Sequence, residues 1–194
     1  MTLTACERFT VSAENQWSHI SSLCEPRAFA SCITFNQQYV YVFGGMHDYQ
    51  ILKSIEKYDS LADTWTVMYF QMPKPLAKLG SVLIGEQAIM IVGGMSGTFE
   101  PSNEVWMLDL RDFEWSEKAP MYHPRLTSSG LFFSSEGEDP YVYAIGGNRS
   151  KTIERYSVKA NSWEILPSFK EATESDITGT NNFLFTYTMC ATNF

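Results

Sequence analysis

The sequence predicts an all-β fold built from small antiparallel sheets that repeat along the chain. Three observations carry that expectation. A glycine pair recurs as Gly44-Gly45, Gly93-Gly94 and Gly146-Gly147, each after a short apolar run. Tryptophans recur at Trp17, Trp65, Trp115 and Trp163, spaced by 48, 50 and 48 residues. Between them lies a third landmark: Ile55-Glu56-Lys57-Tyr58, Val105-Trp106-Met107-Leu108 and Ile153-Glu154-Arg155-Tyr156, whose last residue precedes the tryptophan by seven every time. Self-similarity at a fixed period of this size marks a stacked-repeat architecture.

Composition agrees. The chain has 194 residues, 44% of them hydrophobic and 14% aromatic, enough for a packed core and rich in side chains that suit a pleated surface. A formal net charge of -8 with no Lys/Arg cluster argues against nucleic acid and anionic membrane surfaces as partners. The start, Met1 to Arg8, has neither a basic region nor an apolar one, and no apolar stretch reaches membrane-spanning length, so a soluble cytoplasmic chain is expected, with no membrane insertion. Cys6, Cys24, Cys32 and Cys190 form no CxxC pair and read as buried reduced thiols. Asn148-Arg149-Ser150 has the form of a glycosylation sequon, which in a cytosolic chain is chance.

The elements follow in order. Cys6 to Val11 superimposes on Ile153 to Val158, with one extra residue before Trp17, so residues 1–22 form a partial unit that begins mid-repeat. The first whole unit, 23–70, opens on the strand-breaking Cys24-Glu25-Pro26. It continues with a strand of small and apolar residues from Ala28 to Phe35, then the run Tyr39 to Phe43 before Gly44-Gly45. A variable loop leads to the Tyr58 strand, and the turn Ser60 to Asp63 returns the chain to the Trp65 strand. The second unit, 71–119, repeats this with Met72-Pro73-Lys74-Pro75, strands Gly80 to Ile84 and Ala88 to Val92, and Leu108 in the tyrosine position. The third, 120–167, has Pro120 to Pro124, strands Ser128 to Phe133 and Tyr141 to Ile145, Tyr156, and the turn Lys159-Ala160-Asn161. A last partial unit, 168–194, shows strand character at Ile177 to Phe185 but neither a glycine pair nor a tryptophan.

The strand before each glycine pair barely alternates, which predicts cover on both faces. The turns are too short for parallel crossovers, so each unit is a four-stranded antiparallel sheet. Such a sheet buries both faces only by stacking on its neighbours around an axis, as in a β-propeller. Glycine at positive φ lets the chain leave the strand abruptly beside the next sheet, and the tryptophan of the outer strand is expected to plug the neighbouring sheet.

In its order of parts the sequence resembles the kelch repeat family: apolar strand, Gly-Gly, variable loop, Tyr, short spacer, Trp, from Cys6 to about Phe185. It lacks the Trp-Asp signature of WD40 repeats, and Ser60 to Trp65 does not fit the Asp-box turn of sialidase-type propellers. The resemblance implies an all-β kelch-type β-propeller, an arc of about four blades with three complete and the terminal ones partial. The arc is preferred to a ring closed by pairing the two terminal halves, because a blade shaped for sixfold packing fits a four-blade ring poorly. Its open edges call for a hetero-oligomeric partner or further blades.

No residue pattern announces chemistry. His19, His47 and His123 have no metal-ligand spacing and no nucleophile motif. The paired histidines and Tyr-Cys cross-link of galactose-oxidase-like enzymes of this blade type have no counterpart, and kelch-fold sialic-acid isomerases are exported, complete propellers. The glycine pairs lead into polar loops, not into a helix, so they are no dinucleotide cradle. The expectation is a non-enzymatic chain with no catalytic residue, metal or cofactor, serving protein-protein interaction in a eukaryotic cytosolic or cytoskeletal assembly. Substrate recruitment for a ubiquitin-ligase adaptor is the alternative within binding proteins, and a copper oxidase the alternative among enzymes.

By the resemblance, loops after the glycine pairs and at the mouths of the inner strands form the partner-binding face. Here that face comprises His47, Asp48, Tyr49, Phe99, Glu100, His123, Asn148 and Arg149, with Arg27 and Arg125 each ten residues past a tryptophan. Arginines there grip acidic peptides through forked hydrogen bonds in the family, although the second unit has Leu76 in that place.

Overall fold

Each whole repeat folds as a four-stranded antiparallel meander, in which each strand of the sheet pairs with the next one along the chain. The computed structural model describes residues 3–11, 15–126, 131–134, 139–147 and 152–167. The first whole sheet comprises β3 (Ser31–Phe35), β4 (Tyr39–Phe43), β7 (Ile55–Asp59) and β8 (Thr64–Val67), with a small hairpin, β5 (Met46–His47) and β6 (Gln50–Ile51), in the loop after Gly44-Gly45. The second comprises β9 (Gly80–Ile84), β10 (Ala88–Val92), β11 (Val105–Asp109) and β12 (Trp115–Lys118). The third comprises β13 (Leu131–Ser134), β14 (Tyr141–Ile145), β15 (Ile153–Ser157) and β16 (Ser162–Leu166). At the N-terminus β1 (Cys6–Thr10) and β2 (Gln16–Ile20) form a two-stranded sheet among the described residues. Together they stack as an arc of a β-propeller. The C-terminal unit, 168–194, with Cys190 and the strand expected at 177–185, lies outside the described residues, as do 127–130 of the strand expected at 128–133.

The sheets stack with their first strands innermost, β9 lying beside β3 on one side and β13 on the other. Ser31 Oγ and Ser81 Oγ meet at 2.7 Å between two of them. The core is two seams. Between the first and second sheets, Tyr41, Phe43 and Ile55 pack against Met72, Leu76, Leu79, Ile89, Ile91 and Leu108. Between the second and third, Val82, Met90, Val92, Val105 and Met121 pack against Val142, Ala144, Tyr156 and Trp163. β10 explains the missing alternation: Ile89 and Ile91 enter one seam, Met90 and Val92 the other, and all four are buried.

The strand expected at Ala28 to Phe35 begins only at Ser31. Ala28 is diverted into a bridge with Met46, and Phe29 takes φ +58, which ends the pleat before the strand begins.

Glycine pairs staple sheet to sheet. Gly45 N donates to Leu76 O at 2.9 Å and Gly94 N to Arg125 O at 3.0 Å, each acceptor on the chain entering the next sheet. A Cβ on Gly44 would collide with the carbonyl oxygen of Leu76, and one on Gly94 would lie 2.8 Å from that of Ala77.

A second device holds the outer corners. Tyr58 Oη donates to Asp63 Oδ1 at 2.7 Å, the same oxygen accepts from Ser21 N at 3.0 Å, and Trp65 Nε1 donates to Ser21 O at 2.9 Å. The third sheet repeats it with Tyr156 Oη to Asn161 Oδ1 at 2.7 Å, Ala119 N to Asn161 Oδ1 at 3.0 Å and Trp163 Nε1 to Ala119 O at 2.8 Å. Trp65 and Trp163 thus pack on the sheet before their own, each fastened there by its indole N–H. Trp17 departs from the expected plug: it is 64% exposed and meets the Phe9 ring at a tilt, 5.2 Å between centres, with no described sheet in front of β1 and β2. The Tyr58 hydroxyl holds the Asp63 carboxyl below its ordinary range, and burial, followed by the bond to Asp63, pushes Tyr58 up to about 12.

Two outcomes follow from these devices. Gly44 and Gly85 share nearly the same φ, +57 and +58, but nothing lies within 4 Å of a Cβ at Gly85. Gly85→Ala should therefore lower stability only by the left-handed penalty of about 1–2 kcal/mol, and Gly44→Ala by distinctly more, measured by urea unfolding. The Asp63 latch contributes stability that is complete above the ordinary carboxylate pKa of about 4 and is lost as pH falls through its depressed value. Asp63→Asn, which copies Asn161, should show a shallower loss of stability on acidification than the parent. Equal acid slopes would refute the latch.

Candidate functional site

The loops that follow the glycine pairs share one end of the arc with the entries to the inner strands, because backbone bonds tie them together. Ala28 and Met46 exchange N–H···O bonds of 2.9 and 2.7 Å, and Ala77 and Met95 exchange bonds of 3.0 and 2.8 Å. The β5–β6 hairpin turns through Asp48 and Tyr49 at φ +44 and +66, a pair of left-handed positions usually given to Asn-Gly. Tyr49 is 86% exposed at the tip. In the next repeat Phe99 N donates to Ser96 O at 2.9 Å, closing a turn that leaves Phe99 at φ +62 and 53% exposed, with Glu100 exposed beside it. His47 lies 3.5 Å from the Asp48 carboxylate.

Two further residues, singled out by no motif, complete this end. Phe29 and Lys78 stand at matching places before the inner strands, at φ +58 and +52. Lys78 N donates to Phe29 O at 2.8 Å, and the Lys78 ammonium sits 4.8 Å from the centre of the Phe29 ring. Phe29 is 52% exposed. Their only trace in the sequence is a shared place two residues past Arg27 and Leu76.

Arg27 and Arg125 are not at the surface, contrary to expectation. Arg27 Nη2 pairs with Glu56 Oε1 at 2.6 Å, and its Nη1 donates to Gly44 O at 2.7 Å and Ser54 O at 3.3 Å. Arg125 pairs with Glu154 and donates to Gly146 O at 2.8 Å and Thr152 O at 3.2 Å, with its side chain fully buried. The guanidinium forks are consumed by the carbonyls that the glycine turn leaves unpaired. Each buried glutamate is completed by the Pro-containing connection: Glu56 accepts from Cys24 N and Glu25 N at 2.7 and 3.1 Å, Glu154 from Tyr122 N and His123 N at the same distances. His123 Nδ1 reaches Glu154 Oε1 at 3.0 Å, so this histidine also leans on the scaffold with its ring half exposed. Cys24 is exposed, not buried, because its connection is strapped down through the backbone N–H.

The second repeat lacks both charged side chains of this network, and one of its backbone donors, together. Leu76 replaces the arginine, Trp106 the glutamate, and Pro73, which has no N–H, stands where Cys24 and Tyr122 donate. Replacing all partners by apolar groups is tolerated, whereas removing one strands a buried charge.

Asn148 and Arg149 lie outside the described residues. Among the described residues no group of three or more His, Cys, Asp or Glu could hold a metal ion, and no helix is long and apolar enough to cross a membrane.

Comparison with known proteins agrees with this geometry. The family model described as the kelch motif matches residues 26–68 and 139–170. Spermatocyte protein spe-26 of Caenorhabditis elegans is 27% identical over 138 residues, 71% of this chain and 22% of the relative. Kelch-like protein 34 of Homo sapiens is 24% identical over 160 residues, 77% of this chain and 23% of the relative. A RING finger domain and kelch repeat-containing protein of Dictyostelium discoideum is 27% identical over 168 residues, 77% of this chain and 15% of the relative. The chain therefore spans under a quarter of the length of these curated relatives. Among solved structures, that of YjhT superposes with a TM-score of 0.70 over 87% of this chain and 60% of its own, at 14% identity, a likeness of fold alone.

Arg125→Leu should cost about 3–5 kcal/mol in chemical denaturation, since it leaves Glu154 buried without its cation. A cost under about 1 kcal/mol would show that the pair is not a buried strut.

Proposed function

We propose that this chain, an arc of kelch repeats, is a non-catalytic protein-interaction scaffold that takes a polypeptide partner at the end bearing the glycine-pair loops. One observation carries the reading: Phe29, Tyr49 and Phe99 expose aromatic rings there while their backbone is left-handed. That conformation costs an L-residue about 1–2 kcal/mol, and packing within the described fold does not return it, because the rings are largely in water. Strain kept at exposed aromatic positions is a signature of recognition, and aromatic anchors dominate binding at protein interfaces.

Lys78, held over Phe29, supplies a cation beside the rings, and His47, Asp48 and Glu100 form a polar rim. His123 belongs to the same end with a partly structural role. Arg27 and Arg125 act as struts behind it and not as peptide clamps. Asn148 and Arg149, outside the described residues, are included in the proposed surface on their sequence position alone. The names of the relatives support a kelch-repeat module, and its place in a larger cytosolic or cytoskeletal assembly is part of the proposal. The Dictyostelium relative, whose name joins kelch repeats to a RING finger domain, gives some support to the second reading, substrate recruitment within a ubiquitin-ligase adaptor.

Tyr49→Ser combined with Phe99→Ser is the direct test, because both side chains are exposed and their loss should leave the melting temperature unchanged. Proximity labelling in cells should then lose a discrete set of partners relative to the parent chain. An unchanged partner set would overturn the assignment of this end.

A further inference from the structure

The outer corner between the first and second sheets is built unlike its two siblings. There Leu108 stands for Tyr58 and Tyr156, and Phe113 for Asp63 and Asn161. Phe113 nevertheless keeps φ +60, beside +48 and +49 in the siblings, whose short polar side chains tolerate it. The chain leaving β8 supplies Tyr69 and Phe70. Phe70 stacks on Phe113 at 4.8 Å, Tyr69 meets Phe113 edge-on at 6.2 Å, and Tyr69 is 82% exposed. Half-buried Met68, Leu110 and Trp115 continue the apolar surface down to the core. The Trp115 indole N–H, whose siblings fasten to a carbonyl, is buried without an acceptor.

Exchanging both members of a buried hydrogen bond for apolar groups is nearly neutral, so loss of the latch alone accounts for Leu108. It does not account for an aromatic ring at left-handed φ, nor for a tyrosine left in water over it. Charge defines what fits. The strand and turn around Phe113 carry Asp109, Asp112, Glu114 and Glu117 against Arg111 and Lys118, and Arg111 is already tied to the Asp109 carboxylate. The facing segment offers Thr66, Val67 and Gln71, which carry no charge.

We infer that this corner docks a basic polypeptide segment, which buries one aromatic or leucine side chain against Tyr69, Phe70 and Phe113 while its cations face Asp112 and Glu114. The site is separate from the glycine-pair loops and does not depend on their role. A synthetic hexapeptide of the order lysine, arginine, leucine, phenylalanine, lysine, arginine serves as probe against the full chain, with indole-labelled tryptophan and the Trp115 N–H resonance as readout. Binding should be saturable, should weaken with salt, and should be absent for the same peptide with glutamate in place of every basic residue. Leu108→Tyr with Phe113→Asn rebuilds the sibling latch and so preserves the fold; it should weaken binding at least tenfold. Tyr69→Ser, at an exposed position, should do the same with an unchanged melting temperature. No shift at millimolar peptide, equal binding of the glutamate peptide, or full affinity in either variant would overturn the proposal.

Discussion

A four-stranded sheet of this size has two apolar faces, and only its neighbours can take them out of water. Everything else in the structure answers to that constraint. The central strand β10 sends Ile89 and Ile91 one way and Met90 and Val92 the other, so it cannot be stable in a sheet standing alone. The seams are separate, which makes each sheet dependent on the identity of the side chains across from it. Phe43 of the first sheet, for example, packs edge-on at 6.4 Å against Trp115 of the second.

The same constraint couples core to surface. A sheet that leans on its neighbour must let the chain leave its second strand close to the neighbour's backbone, and the glycine pair makes that approach possible. The turn leaves carbonyls facing inward, and Arg27 or Arg125 collects them with a buried glutamate as counter-charge. Loops anchored in this way are held at fixed positions by a stiff base, which is what recognition by loops requires. The second repeat reaches the same geometry with Leu76, Trp106 and Pro73, so the strut is one of two solutions to the same steric problem.

The repeat was legible in the sequence because its landmarks are steric: Gly44-Gly45, Trp65 and Tyr58 occur where backbone approach, face-to-face packing and a corner latch demand them. The two arginines were misplaced for a physical reason. An equivalent spacing reports an equivalent place in the fold but not whether the side chain turns in or out, and the buried glutamates that turn them inward are one residue past each strand start, Ile55 and Ile153, a relation visible only in three dimensions. Phe29 and Lys78 were missed because left-handed backbone at a bulky residue leaves no compositional mark. The aromatic corner at Phe113 is half visible in the sequence: Leu108 in the tyrosine position marks the lost hydroxyl, but the paired exchange at Phe113 falls on no landmark of the repeat.

Native-state hydrogen exchange tests the central dependence most directly. Phe43→Ala opens the first seam from one side only. The account predicts lower amide protection in β10 and β11 as well as in β4 and β7, with the change crossing the sheet boundary and fading toward β15. Protection lost only within β3, β4, β7 and β8 would show that each sheet stands by itself, and would contradict the account.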